Sequence, residues 1–297
     1  MRKNSRVGEE MSVNRYILTM VIVISAFILV GCGKTGSMNV QLGGSVVETD
    51  DKIIVEGKTN LLPGSRVMGQ VLVNEDEVFS DSTEIVDKKG KFQMELEHHQ
   101  YGDAEVVVTF SFNQTMQDEE VIEHYGIGGE NMEGPFVYVD EHWDADQVNK
   151  KAEVRSLLEA NQDEQNHTFQ EPSWEDKPAD YGDHRVWIEI DEITNDGEFF
   201  YLKGRTNLLE GSHLTGYYAD WWETDETRVN PDGSFDLKIK YQYSEEANFT
   251  IKFDPYSWQW ESIRETYGHN GEKLVGNLVI TGSSSQYIEK VIEYEQE

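Results

Sequence analysis

The residues best suited to do chemistry by contact are aromatic and lie in the second half of the chain. Tyr217 and Tyr218 stand beside Trp221 and Trp222, and Tyr256, Trp258 and Trp260 follow at a spacing of two. Flat indole and phenol faces stack on the CH side of sugar rings or on other apolar ligands, while Asp220, Glu223 and Glu261 offer carboxylates to hydroxyl groups. A spacing of two puts Tyr256, Trp258 and Trp260 on one face of a strand. Two readings stay open. In one, Trp221, Trp222, Tyr256, Trp258 and Trp260 form a platform for a neutral glycan such as cell-wall material; in the other, they cover a helix or a neighbouring domain.

Other constellations are thinner. With 57 acidic residues, carboxylate pairs arise everywhere by chance and none is singled out for glycosidic acid and base work. Hard cations want oxygen-dense loops, so Asn74 to Glu77, Asp81 to Glu84 and Asp191 to Glu198 are calcium candidates, yet none has the spaced twelve-residue ligand pattern: Ile193 stands where an oxygen is needed. Solvated charge is the default there, and no cofactor is expected. His98 and His99 point to opposite faces of an extended chain, which does not make a metal site. Gly33-Lys34-Thr35 ends like a phosphate-binding loop, but Ile28 occupies the position of the required glycine. No catalytic set is visible and no enzyme is expected.

The lone cysteine has a different context. Arg2, Lys3, Arg6 and Arg15 precede an uncharged apolar run from Tyr16 to Val30, and Gly31 stands before Cys32, in the order of an export signal. Leu29-Val30-Gly31-Cys32 resembles the lipobox of bacterial lipoproteins. The resemblance implies cleavage between Gly31 and Cys32, diacylglycerylation of the Cys32 thiol, and a protein held by lipid on the outer face of the cell membrane. The alternative is an uncleaved transmembrane helix from Tyr16 to Gly33, at the lower length limit for a span, about 18 residues.

Charge narrows the partners. The formal net charge is -32, and removal of a leader with four basic and two acidic residues makes it -34. Nucleic acid and anionic headgroups are repelled by such a surface, so nucleic acid is excluded as a partner; cations, neutral glycans or another envelope protein remain. Solubility in a salty or alkaline exterior accounts for the charge equally well. Without a second cysteine no disulfide can form within the chain, so each domain must stand on its own apolar core.

An internal duplication sets the architecture that must position these groups. Val55-Glu56-Gly57-Lys58-Thr59-Asn60-Leu61-Leu62-Pro63-Gly64-Ser65 returns as Leu202-Lys203-Gly204-Arg205-Thr206-Asn207-Leu208-Leu209-Glu210-Gly211-Ser212, 147 residues later. Gly90 to Leu96 answers Gly233 to Ile239, and Tyr125-Gly126, Gly129-Glu130 and Gly134 answer Tyr267-Gly268, Gly271-Glu272 and Gly276. Phe92, Met94 and Leu96 alternate with polar residues, as do Phe235, Leu237 and Ile239, which predicts half-buried strands. Turn residues at regular intervals predict antiparallel β-sandwiches of immunoglobulin-like type. The expected fold is mainly β: two tandem sandwiches, each followed by a short helix, one within Asp144 to Leu158 and one at Gln286 to Tyr294.

The expected organisation is a signal over 1–31, a tether over 32–45, a first sandwich over 46–139, a helix and acidic linker over 140–185, a second sandwich over 186–281, and a terminal helix or tail over 282–297. The expected function is binding or adhesion at the bacterial cell surface, with the second-sandwich aromatics as the ligand face. A scaffold role in envelope assembly is the alternative, and a carboxylate-based hydrolase comes third.

Overall fold

Stretches of period two become strands because only an extended chain sends every second side chain to one face. The computed structural model describes residues 38–49, 52–73, 77–97, 102–113, 115–141, 149–158, 166–218, 223–241 and 247–294, and over them two antiparallel β-sandwiches follow one another, each with its own apolar core. The first is built from β1 (Leu42–Glu48), β2 (Lys52–Thr59), β3 (Arg66–Val73), β4 (Glu77–Ile85), β5 (Lys91–Glu97), β6 (Ala104–Phe110), β7 (Val137–Val139), β8 (Lys150–Leu158) and β9 (Asn166–Thr168). One sheet runs β5-β2-β1-β9 and the other β4-β3-β6-β8-β7. The second sandwich repeats the plan with β10 (Ile188–Asn195), β11 (Phe199–Thr206), β12 (His213–Tyr218), β13 (Glu223–Arg228), β14 (Ser234–Lys240), β15 (Ala247–Phe253), β16 (Val279–Thr281) and β17 (Gln286–Tyr294). Its sheets run β10-β11-β14 and β13-β12-β15-β17-β16.

The expected trailing helices are strands. β8 pairs with β6 from Ala104↔Leu158 to Phe110↔Ala152, and β17 pairs with β15 from Ala247↔Tyr294 to Phe253↔Ile288. The apolar residues of these segments fit either period over so short a run, and tertiary context decides. A helix there would leave one edge of β6 or β15 without partners for its backbone groups, a cost of the order of a hydrogen bond for each buried group. Asp144, Gln147 and Val148, at the start of the first expected helix, lie outside the described residues. The helices that do form are α1 (Glu119–Tyr125) and α2 (Glu261–Tyr267), between β6 and β7 and between β15 and β16. Both start on glutamate, which suits the positive end of the helix, and both bury a pair four residues apart, Val121 with Tyr125 and Ile263 with Tyr267.

What the two copies share serves folding. Tyr125 accepts the Leu62 N–H at its hydroxyl (3.0 Å), and Tyr267 accepts that of Leu209 (3.1 Å), so each helix pins the turn of the duplicated motif. Thr59 donates to the Gln41 carbonyl and Thr206 to that of Trp187, while Asn60 and Asn207 accept the N–H groups of the same two residues. Gln117 accepts the Arg66 N–H and donates to its carbonyl; Gln259 does the same for His213. Gly57 faces Phe92 across one ladder and Gly204 faces Phe235 across the other, and in each pair the phenylalanine ring fills the space a Cβ would need.

One corner of the core differs. Where the first sandwich has Ile53, Val71, Val106 and Leu158, the strand registers of the second place Phe200, Tyr218, Phe249 and Tyr294. Much of the aromatic gain of the second copy is therefore interior, and Tyr218 is buried rather than displayed. Its hydroxyl has no hydrogen-bond partner among the described residues. A buried donor without an acceptor costs about 1–3 kcal/mol, so Tyr218→Phe is expected to stabilise the second sandwich by about 1 kcal/mol. A lower urea midpoint for the variant than for the parent would contradict that.

Candidate functional site

The two sandwiches meet along a polar joint. The Val139 N–H donates to Glu210 Oε1 across it (2.7 Å), and the Ser262 N–H donates to Glu141 Oε2 (3.3 Å). Burial raises the Glu210 carboxyl above its ordinary range, against the Val139 hydrogen bond. The connecting chain reinforces the joint: Trp174 donates its indole N–H to the Pro135 carbonyl of the first copy, and Glu175 donates its backbone N–H to Asp232 of the second. Tyr138 meets Trp174 edge to face at 5.7 Å.

Beside this joint opens a cleft of about 640 Å³ lined by Tyr138, Lys151, Glu153, Arg155, His213, Glu226, Arg228 and Trp258, together with Thr227 and Asn230. That volume falls within the roughly 300–1,000 Å³ typical of small-ligand sites. One wall is β8, whose alternation sends Ala152, Val154 and Leu158 into the core and leaves Lys151, Glu153 and Arg155 on the other face. Glu153 lies between Lys151 (2.7 Å) and Arg155 (2.8 Å), and Arg155 also reaches Glu105 (2.7 Å). Burial alone would raise the Glu153 carboxyl, but the two cations override it and hold it below the usual range. Burial pushes the Tyr138 phenol up to about 12.

The other wall comes from β12, β13 and the loop before α2. His213 lies 3.2 Å from Glu226, and its burial holds the imidazole below its ordinary pKa, so at neutral pH it is uncharged. Arg228 donates to the Gly211 carbonyl (2.7 Å) and to that of Trp258 (3.2 Å), with its guanidinium 4.3 Å from the Trp260 ring centroid. Trp260 in turn lies over Gly211, where a Cβ would overlap its ring. Trp258 has φ 58° and a side chain that is 75% exposed. A bulky residue pays about 1–2 kcal/mol to stand in the left-handed region, and such strain marks positions where the surroundings fix a side chain for use.

The expected ligand residues are thus separated. Residues 254–260 form a turn and loop, so Tyr256, Trp258 and Trp260 do not share a strand face. Asp254 shapes that turn by accepting the Ser257 and Tyr256 N–H groups, which sends the side chains in different directions. Tyr256 is 64% exposed and is absent from the cleft wall; Trp260 is 9% exposed and packs on the core; Trp258 alone lines the cleft. Alignment on the shared Gln117 and Gln259 sets Trp258 opposite the exposed Met116 and Trp260 opposite Asp118. Trp221, Trp222 and Asp220 lie outside the described residues, as do Gly31, Cys32 and His98-His99.

Sequence reasoning missed Tyr138, Lys151, Glu153, Arg155, His213, Glu226 and Arg228. A signal existed: Lys151, Glu153 and Arg155 alternate with Ala152 and Val154, which reads as one charged strand face once a helix is not assumed. Two further depressions, of about 440 and 580 Å³, lie over Gly204 and Gly57, at corresponding places in the two copies. Their recurrence ties them to the shared glycine and phenylalanine packing. Of the calcium candidates, Asn74 to Asp76 lie outside the described residues. Asp191 pairs with Arg205 (2.9 Å), and Asp196 accepts the N–H groups of Glu198 and Phe199 and the Tyr201 hydroxyl, which lowers its carboxyl to about 2. Among the described residues no group of three or more histidine, cysteine or acidic side chains is arranged to hold a metal ion. No protein-family model and no curated protein matches the sequence.

Proposed function

We propose that this protein is an extracytoplasmic binding protein, anchored to the bacterial cell membrane through an acylated Cys32, that holds a glycan in the cleft between its two sandwiches. The observation that carries the reading is Trp258: a large indole, mostly exposed, on a strained backbone, at the wall of a cleft lined by both copies. Binding rather than turnover fits the carboxylates. A general acid needs a raised pKa, and Glu153 is held the other way by Lys151 and Arg155.

Trp258→Ala is the test, because Trp260 supports Arg228 and the core and its loss would unfold the neighbourhood. Retention of the intact protein on insoluble cell-wall glycan is expected to weaken at least tenfold, about 1.4 kcal/mol, with an unchanged melting temperature. Full retention by the variant, or none by the parent, would overturn the reading. A scaffold role in envelope assembly is favoured by a separate observation: the joint fixes the sandwiches through Glu210, Glu141 and Trp174, as a spacer between envelope partners requires.

A further inference from the structure

We infer that the cleft selects an acidic sugar, whose ring lies against the Trp258 indole while its carboxylate is received by the Arg228 guanidinium. This rests on the glycan reading and goes beyond it, because an acidic surface by itself predicts a neutral ligand.

The cations of the cleft are unequal. Lys151 has Glu153, and Arg155 has Glu153 and Glu105. Arg228 forms no ion pair among the described residues: its protein partners are two backbone carbonyls and the face of Trp260. Burial holds its pKa below the ordinary value, and Glu141, Asp140 and Glu226 oppose this only from a distance: none lies within 4.0 Å, Glu141 is committed to the Ser262 N–H, and Glu226 to His213. A guanidinium carries five N–H donors, so those not given to Gly211 and Trp258 remain for a planar, bidentate acceptor. An arriving carboxylate would reverse the lowering of the Arg228 pKa by burial.

Placement joins this fork to the aromatic face. The Trp258 carbonyl that Arg228 binds belongs to the residue with φ 58°, so one hydrogen bond holds both the strained backbone and the cation. A ring carboxylate and a ring CH face, as a uronic acid presents them, match a fork and an indole fixed to each other. Long-range repulsion by a chain of net charge -32 does not forbid this, because screening confines it to about 8 Å at physiological salt, whereas Lys151, Arg155 and Arg228 lie around the ligand.

The test varies the ligand before the protein. Calorimetric titration of the intact protein with a galacturonate oligosaccharide, its methyl ester and its carboxyl-reduced form is expected to show the acid bound at least tenfold tighter than either neutral form. Arg228→Lys keeps the charge above Trp260 but loses the fork, and is expected to cut that preference to threefold or less. Its melting temperature checks that it folds. Equal affinity of the parent for all three ligands, or binding of none by a parent that insoluble cell-wall glycan still retains, would overturn the inference and leave the glycan reading standing; binding of none together with no such retention would overturn both. Full acid preference in a folded Arg228→Lys variant would also overturn it, by moving the preference to Lys151 and Arg155.

Discussion

Replacement of Phe200 by alanine is expected to lower the unfolding temperature of the second sandwich by about 15–20 °C while the first sandwich keeps its transition. Phe200 is fully buried and lies 4.7 Å from Tyr218, 4.9 Å from Tyr241, 5.0 Å from Phe249 and 5.6 Å from Tyr294, ring centre to ring centre. Truncation of a buried phenylalanine costs about 3–5 kcal/mol through lost transfer energy and the cavity left behind. Four aromatic contacts, each adding about 0.5–1.5 kcal/mol beyond area, put this site at the upper end of that range. About 4 °C per kcal/mol for a domain of roughly this size gives the stated shift. The cavity cannot collapse easily, because the surrounding rings are rigid and hold one another: Tyr218 and Phe249 stand 4.9 Å apart, Phe249 and Tyr294 5.5 Å. The aliphatic corner around Ile53 supplies the comparison, and Ile53→Ala should cost less, about 2–4 kcal/mol, and act on the first sandwich. Scanning calorimetry separates these outcomes. A shift below about 5 °C for Phe200→Ala, or an equal shift of both sandwiches, would show that the aromatic corner is not what holds the second copy.

The same corner shows what the sequence made legible. Duplication and alternation were enough for the architecture, because a strand half-buried against a core must repeat every two residues, and Phe92, Met94 and Leu96 did so without ambiguity. Val154, Leu157 and Leu158 did not: their spacing suits both periods, and the choice was made by β6, which needs a partner along its second edge. The short helices escaped notice because seven residues with one buried pair each make too weak a periodic signal. At the site, Trp258 was legible as a candidate contact residue, but its exposure and position were not. Those depend on a turn fixed by Asp254 and on the approach of the two copies through Val139 and Glu210, contacts that connect residues 71 apart and leave no local trace. Trp260 misled for a related reason. An aromatic residue at the entry to a helix looks available until the glycine it covers, Gly211, is found beneath it.

Cys32→Ala is expected either to leave the chain uncleaved or, where the leader is removed, to move the protein out of the membrane fraction by more than tenfold, which makes it the change with the largest effect on where the protein works. Under the proposed anchoring, once the apolar leader before Cys32 is removed the lipid on that residue is what holds the chain to the membrane. One acyl chain gives only marginal membrane binding at about 0.8 kcal/mol per buried methylene, and stable attachment takes a second signal. A polybasic patch is the usual second signal, and a chain with 57 acidic and 25 basic residues is repelled by anionic headgroups instead. Both signals must therefore come from the lipid on one thiol, so its loss removes the whole attachment rather than a fraction of it. Fractionation with mass spectrometry of the N-terminus decides the matter. Cleavage before residue 32 with continued membrane retention of the variant, or an intact Met1 in the parent, would refute the anchor; neither result would touch the cleft, whose binding can be measured on the folded protein in solution.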